Sequence, residues 1–262
     1  MVDYGLAVLP RISLLYKAGT HLSSRLGGGL GYKMPSIFTE ESERVQYRNV
    51  LPVSADSNKL EKSYGANWDM NYKTILAGNR ITFSVNQLFF FTHLDNPLLL
   101  IAGINGMYSF KNIAGHIDAQ GAETNIKLGY GHFKLFLGYT YTHSHIHSGN
   151  QVQEMPLTPV HHTNSVLMFE IENKWKAGLE AYYYSRQLLS DGTYGRDYWL
   201  CGFMTEKLWK HWSVFINFEN FMDSRQTRYG SIYTGTVTNP VFKDIYAPLD
   251  GFVVNGGMKI KL

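Results

Sequence analysis

Three histidines, His143, His145 and His147, stand at alternate positions near the middle of the chain. In an extended segment a period of two puts all three imidazoles on one face. Neutral imidazoles suit Zn, Cu or Fe, so this His-x-His-x-His run is a candidate set of metal or haem ligands. His161 and His162 open the next patterned stretch and are placed to approach it. A second group consists of charged and amide side chains set at intervals among apolar ones: Arg25, Asp69, Glu123, Asn217 and Glu219, with Lys127, Lys176, Glu180 and Lys259 in the same phase. On a wet surface such residues either guide a polar ligand or pair their charges off against one another. Cys201 is the sole cysteine, which excludes an internal disulfide and a cysteine-based metal cage. Gly27-Gly28-Gly29 lacks the Lys-Ser/Thr that follows a phosphate-binding loop. With no Ser-His-Asp or paired-carboxylate arrangement in view, the chain reads as a non-enzyme with no cofactor.

The elements that carry these residues alternate apolar and polar side chains at a period of two, and eleven such stretches follow one another. In the last, Phe252, Val254, Gly256, Met258, Ile260 and Leu262 fall on one face, and Val253, Asn255, Gly257, Lys259 and Lys261 on the other. Tight turns are signalled at Ala18-Gly19-Thr20, Leu76-Ala77-Gly78-Asn79, Gly131-His132 and Asn173-Lys174, and Trp209 and Trp212 flank another. Long links follow the second, fourth, sixth, eighth and tenth stretches. The segment Gln87 to Gly115 is read as the top of one strand, an outer loop with a turn at Asn105-Gly106, and the descent into the next. The histidine run continues the phase of Leu135, Leu137, Tyr139 and Tyr141, so regular extension points it outward on the greasy side.

Aromatic residues make up 15% of the 262 positions and charged residues only 17%, a balance that favours strands over soluble helices. The net charge of +3 is spread along the chain, and no basic run tracks phosphates, which argues against a nucleic-acid partner. No apolar stretch reaches the ~18 residues of a membrane helix. Strands of roughly 9–11 residues joined by links that are alternately short and long are instead the pattern of a β-barrel in a membrane. A soluble β-sandwich binding module uses the same residue types and is the rival. The first ten residues lack the charged start, apolar run and cleavage site of a signal peptide. Eleven is an odd count, and an open sheet exposes two edges to lipid, so an incomplete barrel is expected, a single partial domain over 1–262.

Several segments resemble the C-terminal half of TonB-dependent outer-membrane receptors. Gly29-Leu30-Gly31-Tyr32-Lys33-Met34-Pro35-Ser36-Ile37-Phe38-Thr39-Glu40 is similar to that family's Gly-Phe-Arg-x-Pro passage followed by an acidic residue. Leu60-Glu61-Lys62-Ser63 resembles Leu-x-Pro-Glu-x-Ser without its Pro, and Gly121-Ala122-Glu123 resembles Gly-x-Glu. Pro156-Leu157-Thr158-Pro159-Val160-His161 and Asn220-Phe221-Met222-Asp223-Ser224-Arg225 resemble Pro-x-x-Pro-x-His and Asn-Leu-Phe-Asp-x-Arg. The resemblance implies an antiparallel transmembrane β-barrel, here eleven strands of a total of 22. It implies active uptake of a scarce nutrient (a siderophore-bound metal, haem or a vitamin) across the bacterial outer membrane. Outer-membrane lipid and a small nutrient are the implied partners. The TonB complex would act only through an N-terminal plug that, with the first half of the barrel, is expected to lie outside this chain. A porin or adhesin barrel is the other membrane alternative.

Overall fold

The computed structural model describes Tyr4 and residues 6–260; Lys261 and Leu262, the end of the last alternating stretch, lie outside the described residues. One antiparallel sheet dominates. Its strands are β1 (Arg11–Ala18), β2 (Leu22–Lys33), β3 (Glu61–Leu76), β4 (Ile81–Asp95), β7 (Gly115–Tyr130), β8 (Phe133–Ser148), β10 (His161–Ile171), β11 (Trp175–Tyr184), β12 (Tyr198–Leu208), β13 (Trp212–Glu219) and β16 (Val253–Ile260). These eleven pair in chain order, each with the next, and the short β9 (Gln151–Glu154) hooks back onto β8. Two separate hairpins, β5 (Leu98–Ala102) with β6 (Tyr108–Asn112) and β14 (Tyr233–Thr236) with β15 (Asn239–Phe242), lie within long links. Two short helices, α1 (Glu40–Arg44) and α2 (Gln226–Tyr229), do the same.

The alternating rhythm of the links is present. Residues 19–21, 77–80, 131–132, 172–174 and 209–211 make the short turns, and 34–60, 96–114, 149–160, 185–197 and 220–252 the long links. Short turns between antiparallel strands need left-handed backbone, which Gly19, Gly78, Asn79, Gly131 and Asn173 supply.

Register keeps the two faces of the sheet distinct. Phe83, Leu128, Leu135, Leu167, Leu179, Phe203, Phe218 and Val254 are successive cross-strand partners and form one apolar row over eight strands. No second sheet covers this row among the described residues, and Leu167, Leu179 and Val254 remain 41%, 45% and 49% exposed. That rules out the sandwich alternative, whose inner faces bury each other. The polar intrusion at Gln87 and Thr124 satisfies itself, with Thr124 Oγ1 donating to Gln87 Oε1 at 2.6 Å. At the short-turn rim, Trp209 and Trp212 stack at 3.9 Å and the Lys207 ammonium sits 5.3 Å above the Trp175 ring. Aromatic rings with a wet edge of this kind form the girdle of membrane barrels.

Three differences from the sequence reading are physical. Strands β3, β7 and β8 run to 16 residues and β4 to 15, longer than the expected crossing. The surplus lies at the long-link end, where His and Asp replace apolar residues in the outward phase. The link 34–60, read as unpatterned, holds α1, which Thr39 caps by accepting from the Ser42 amide at 3.4 Å. The loop around Asn105-Gly106 is a hairpin of its own, its tip turned by left-handed Asn105 and Gly106. The sheet is not closed: β1 and β16 are its two edges.

The two faces give opposite responses to the same charge. Leu137→Arg, on the apolar face of β8, is expected to lower folding stability in lipid vesicles by about 2–4 kcal/mol. Thr140→Arg, on the other face opposite Glu123, is expected to cost less than about 1 kcal/mol. Equilibrium folding into vesicles, read by tryptophan fluorescence, measures both.

Candidate functional site

The best-packed part of the molecule lies at the long-link end. Among the described residues, Leu98, Phe110, Leu189, Tyr198 and Ala247 are buried hydrophobic side chains, and with buried Pro97 they belong to long links or strand ends beside them. Buried polar side chains tie the links together. Asn58 Nδ2 donates to the Phe110 carbonyl at 2.7 Å, and the Asn58 Oδ1 accepts from the Ser54 amide at 3.1 Å. Backbone bonds join Leu51 to Tyr108 and Tyr108 to Asn49, each 2.8 Å. Buried Glu61 accepts from the Leu98 amide at 2.9 Å. On the far side, Gln226 is 4% exposed. Its Nε2 donates to the Asp244 carbonyl at 2.7 Å, and its Oε1 accepts from the Tyr246 and Ala247 amides at 2.9 and 3.3 Å. Tyr198 and Gln187 both donate to the Tyr246 carbonyl, and the Ser190 amide donates to Asp244 at 2.5 Å. Tyr194 completes the chain of links by donating to Glu154 at 2.8 Å.

These two packed groups of links flank a cavity of about 700 Å³. Arg48, Asn49 and Tyr108 line it from one group, and Ser190, Asp191 and Lys243 from the other. Asp244 lines it too, so two cations, two carboxylates and a phenol make a wall suited to a polar or chelating small molecule. Hydrogen bonds from the Thr193 side chain and backbone hold the Asp191 carboxyl below the usual range.

The polar-face residues singled out from the sequence share one face but do not converge. Arg25 Nε pairs with Asp69 at 2.8 Å on β2 and β3. Glu123 accepts from Asn125 at 2.6 Å on β7. Glu219 accepts from Asn217 and from Asn255, both at 2.7 Å, on β13 and β16. These are three local groups with their charges engaged.

The histidine run stays in the outward phase. His143 and His145 rings meet at 4.0 Å, and burial, then the charge of His143, pushes His145 down. His161 does not approach the run; it packs on Tyr141 and bonds the Tyr139 hydroxyl at 2.9 Å. His162 falls on the opposite face, against Tyr184. Only His147 joins a larger cluster, and its partners come from β4 and β7. The rings of Tyr64, His93, His116 and His147 form a stack with successive separations of 4.7, 4.7 and 4.4 Å. Asp118 lies among them, 2.5 Å from His93 Nδ1, 3.4 Å from His116 Nε2 and 3.8 Å from His147 Nε2. Asp95 Oδ1 is 3.2 Å from the other nitrogen of His93. Burial pulls the His93 pKa down, but the hydrogen bonds and charges of Asp118 and Asp95 outweigh it and hold the imidazole above its ordinary range. His93, His116 and Asp118 were missed in the sequence. The signal was present, since His93-x-Asp95 and His116-x-Asp118 repeat the period of two.

The family described as "TonB dependent receptor-like, beta-barrel" matches residues 2–221. The chain belongs to this family. Solved structures of similar fold are the FrpB iron transporter from Neisseria meningitidis (F3-3 variant), the copper transporter OprC, and the siderophore receptor PirA from Acinetobacter baumannii. Against FrpB the TM-score is 0.65 at 12% identity, covering 95% of this chain and 38% of that one. For OprC the values are 0.66, 13%, 94% and 38%, and for PirA 0.65, 13%, 96% and 40%. The chain thus spans about two fifths of the length of these relatives. No curated protein matches it by sequence. At such identities the likeness shows the fold, and that fold is the strand portion of a TonB-dependent receptor barrel.

Gln226 makes the loop architecture of this receptor barrel testable. Gln226→Ala removes the three hydrogen bonds this buried side chain makes to the Asp244 carbonyl and the Tyr246 and Ala247 amides, a loss of about 1–3 kcal/mol. Limited proteolysis is expected to cut residues 226–248 roughly tenfold faster in that variant. Val237→Ala, at the exposed hairpin tip, leaves the rate unchanged.

Proposed function

We propose that this chain is the C-terminal barrel half of an outer-membrane receptor that actively takes up a scarce nutrient, of the class of siderophore-bound metal, haem or vitamin. The observation that carries this reading is the family match over residues 2–221 combined with a sheet of eleven consecutive strands left open at both edges. A plug and the first barrel strands, encoded upstream, complete the cylinder in this proposal, and the TonB complex acts through the plug. The iron, copper and siderophore proteins of similar fold support a metal chelate as the cargo. Arg48, Lys243 and Tyr108 in the cavity suit the carboxylates and phenolates that clothe such chelates. The face carrying Arg25, Asp69, Glu123, Asn217 and Glu219 is the wet interior in this proposal, its charges pairing with each other and with the plug. The opposite face meets outer-membrane lipid.

Uptake of radiolabelled ferric siderophores, haemin and cyanocobalamin tests the reading. The gene, with its upstream reading frame, is expressed in a bacterial host stripped of its own receptors. One probe is expected to accumulate above the vector control, and deletion of TonB is expected to abolish it. Accumulation indifferent to TonB rejects active uptake and favours a passive porin. For the probe taken up, Arg48→Ala with Lys243→Ala is expected to raise the apparent KM about tenfold, with the surface amount of receptor unchanged.

A further inference from the structure

We propose that His93, His116 and Asp118, joined by His147, form a binding site for one divalent transition-metal ion of the zinc class on the outward face of β4, β7 and β8. The donor atoms of the first three lie within 4.8 Å of one another. A tetrahedral ion with bonds of ~2.0–2.1 Å holds its ligand atoms about 3.3–3.4 Å apart. His116 Nε2 is 3.4 Å from Asp118 Oδ2 and His147 Nε2 is 3.8 Å from it, so two edges of such a tetrahedron stand nearly formed. His93 Nδ1 meets the other carboxylate oxygen, Oδ1, in a 2.5 Å hydrogen bond, and it joins the ion when the ion displaces the shared proton and the carboxylate turns.

Three features make the cluster more than a polar patch. Cross-strand register fixes it: His93 pairs with Asp118, and His116 with His147. The ring stack from Tyr64 to His147 holds the three imidazoles side by side before any ion arrives, and binding tilts them until their in-plane lone pairs converge. Asp95 accepts from His93 Nε2, so once an ion displaces the proton shared with Asp118, Nδ1 is the nitrogen left to ligate. A carboxylate behind a ligating histidine is the usual orienting device of metal sites. Imidazoles with one carboxylate and no thiolate select Zn²⁺, Cu²⁺ or Ni²⁺ over Ca²⁺ and Mg²⁺. All four side chains are partly exposed, so an ion reaches them from solvent. The site shares no residue with the loop cavity and lies in the phase of the apolar row, so an ion held there is off any route through the barrel.

The test uses the full-length receptor, extracted from membranes in detergent and stripped with a chelator. Zinc chloride is titrated against a chromophoric zinc indicator, and cobalt chloride against the visible absorption of the protein. One zinc per chain is expected, together with the intense cobalt bands of a four-coordinate ion. His116→Ala and Asp118→Asn are each expected to weaken zinc binding at least tenfold. Asp95→Asn is expected to weaken it several-fold, and His143→Ala, in the same phase outside the cluster, to leave it unchanged. Heat-modifiable migration on gels reports whether each variant is folded; should Asp118→Asn fail, His116→Ala and His147→Ala decide. Absence of saturable zinc binding in the unaltered protein overturns the proposal. So does a stoichiometric zinc that survives in a folded His116→Ala/Asp118→Asn double variant. Neither result bears on nutrient uptake, which the TonB-dependent assay reads separately.

Discussion

Every other feature rests on a sheet that satisfies its own backbone while keeping one face apolar over all its width. In hydrocarbon an unpaired amide or carbonyl costs several kcal/mol, so strands are viable there only when each is flanked by another. The ladders from β1 to β16 meet that demand for the interior strands. Because side chains alternate strictly, a one-residue slip in any ladder would turn a whole stripe of leucines toward the polar side. The row from Phe83 to Val254 shows no such slip across eight strands. Short turns enforce this. Gly131-His132 leaves Tyr130 opposite Phe133, and every later pair of that hairpin follows by counting, up to His116 opposite His147.

A sheet that spends its apolar side chains on lipid has none left for an internal core. Conventional burial is therefore displaced to the long links, where Leu98, Phe110, Leu189 and Ala247 are covered. These are small clusters, and hydrogen-bonded polar groups supply much of the order. Asn58 and Gln226 each act as a bracket, one side chain binding backbone groups of a second segment or of its own loop. Loops held this way present the cavity wall as a formed surface, which lowers the ordering cost of binding a small molecule.

The barrel was legible because it obeys a rule that acts on every residue: apolar against lipid, polar against water. Final-strand residues such as Met258 and Lys259 separate by phase alone. The loops obey no such rule. Nothing local marks Leu98 to Ala102 as half of a hairpin pinned by Glu61 and Asn58, since both pins come from distant sequence. The histidine site shows the same division. His143, His145 and His147 stood out because they are adjacent in sequence, and their outward phase was readable. The cluster that forms takes only His147 and adds His93, His116 and Asp118, because ligands gather across strands rather than along one. The β7–β8 half of that pairing could be counted from Gly131-His132. The β4–β7 half crosses a link of 19 residues with its own hairpin, and no turn chemistry fixes its register.

The two edges carry the argument beyond this sheet. Among the described residues β1 and β16 each pair on one side only, and both carry exposed apolar residues in the lipid phase, Ile12 and Leu14 on one, Val254 and Met258 on the other. An edge in water is blunted with charges, prolines or bulges. Here the outward stripe of each edge is as apolar as that of the interior strands, so these edges are not built to face water, and in hydrocarbon their free amides and carbonyls are too costly to leave open. Stripes of this composition suit strands with neighbours on both sides. That is the physical ground for proposing that the chain belongs to a larger closed barrel, in which both edges would pair with strands of the same phase.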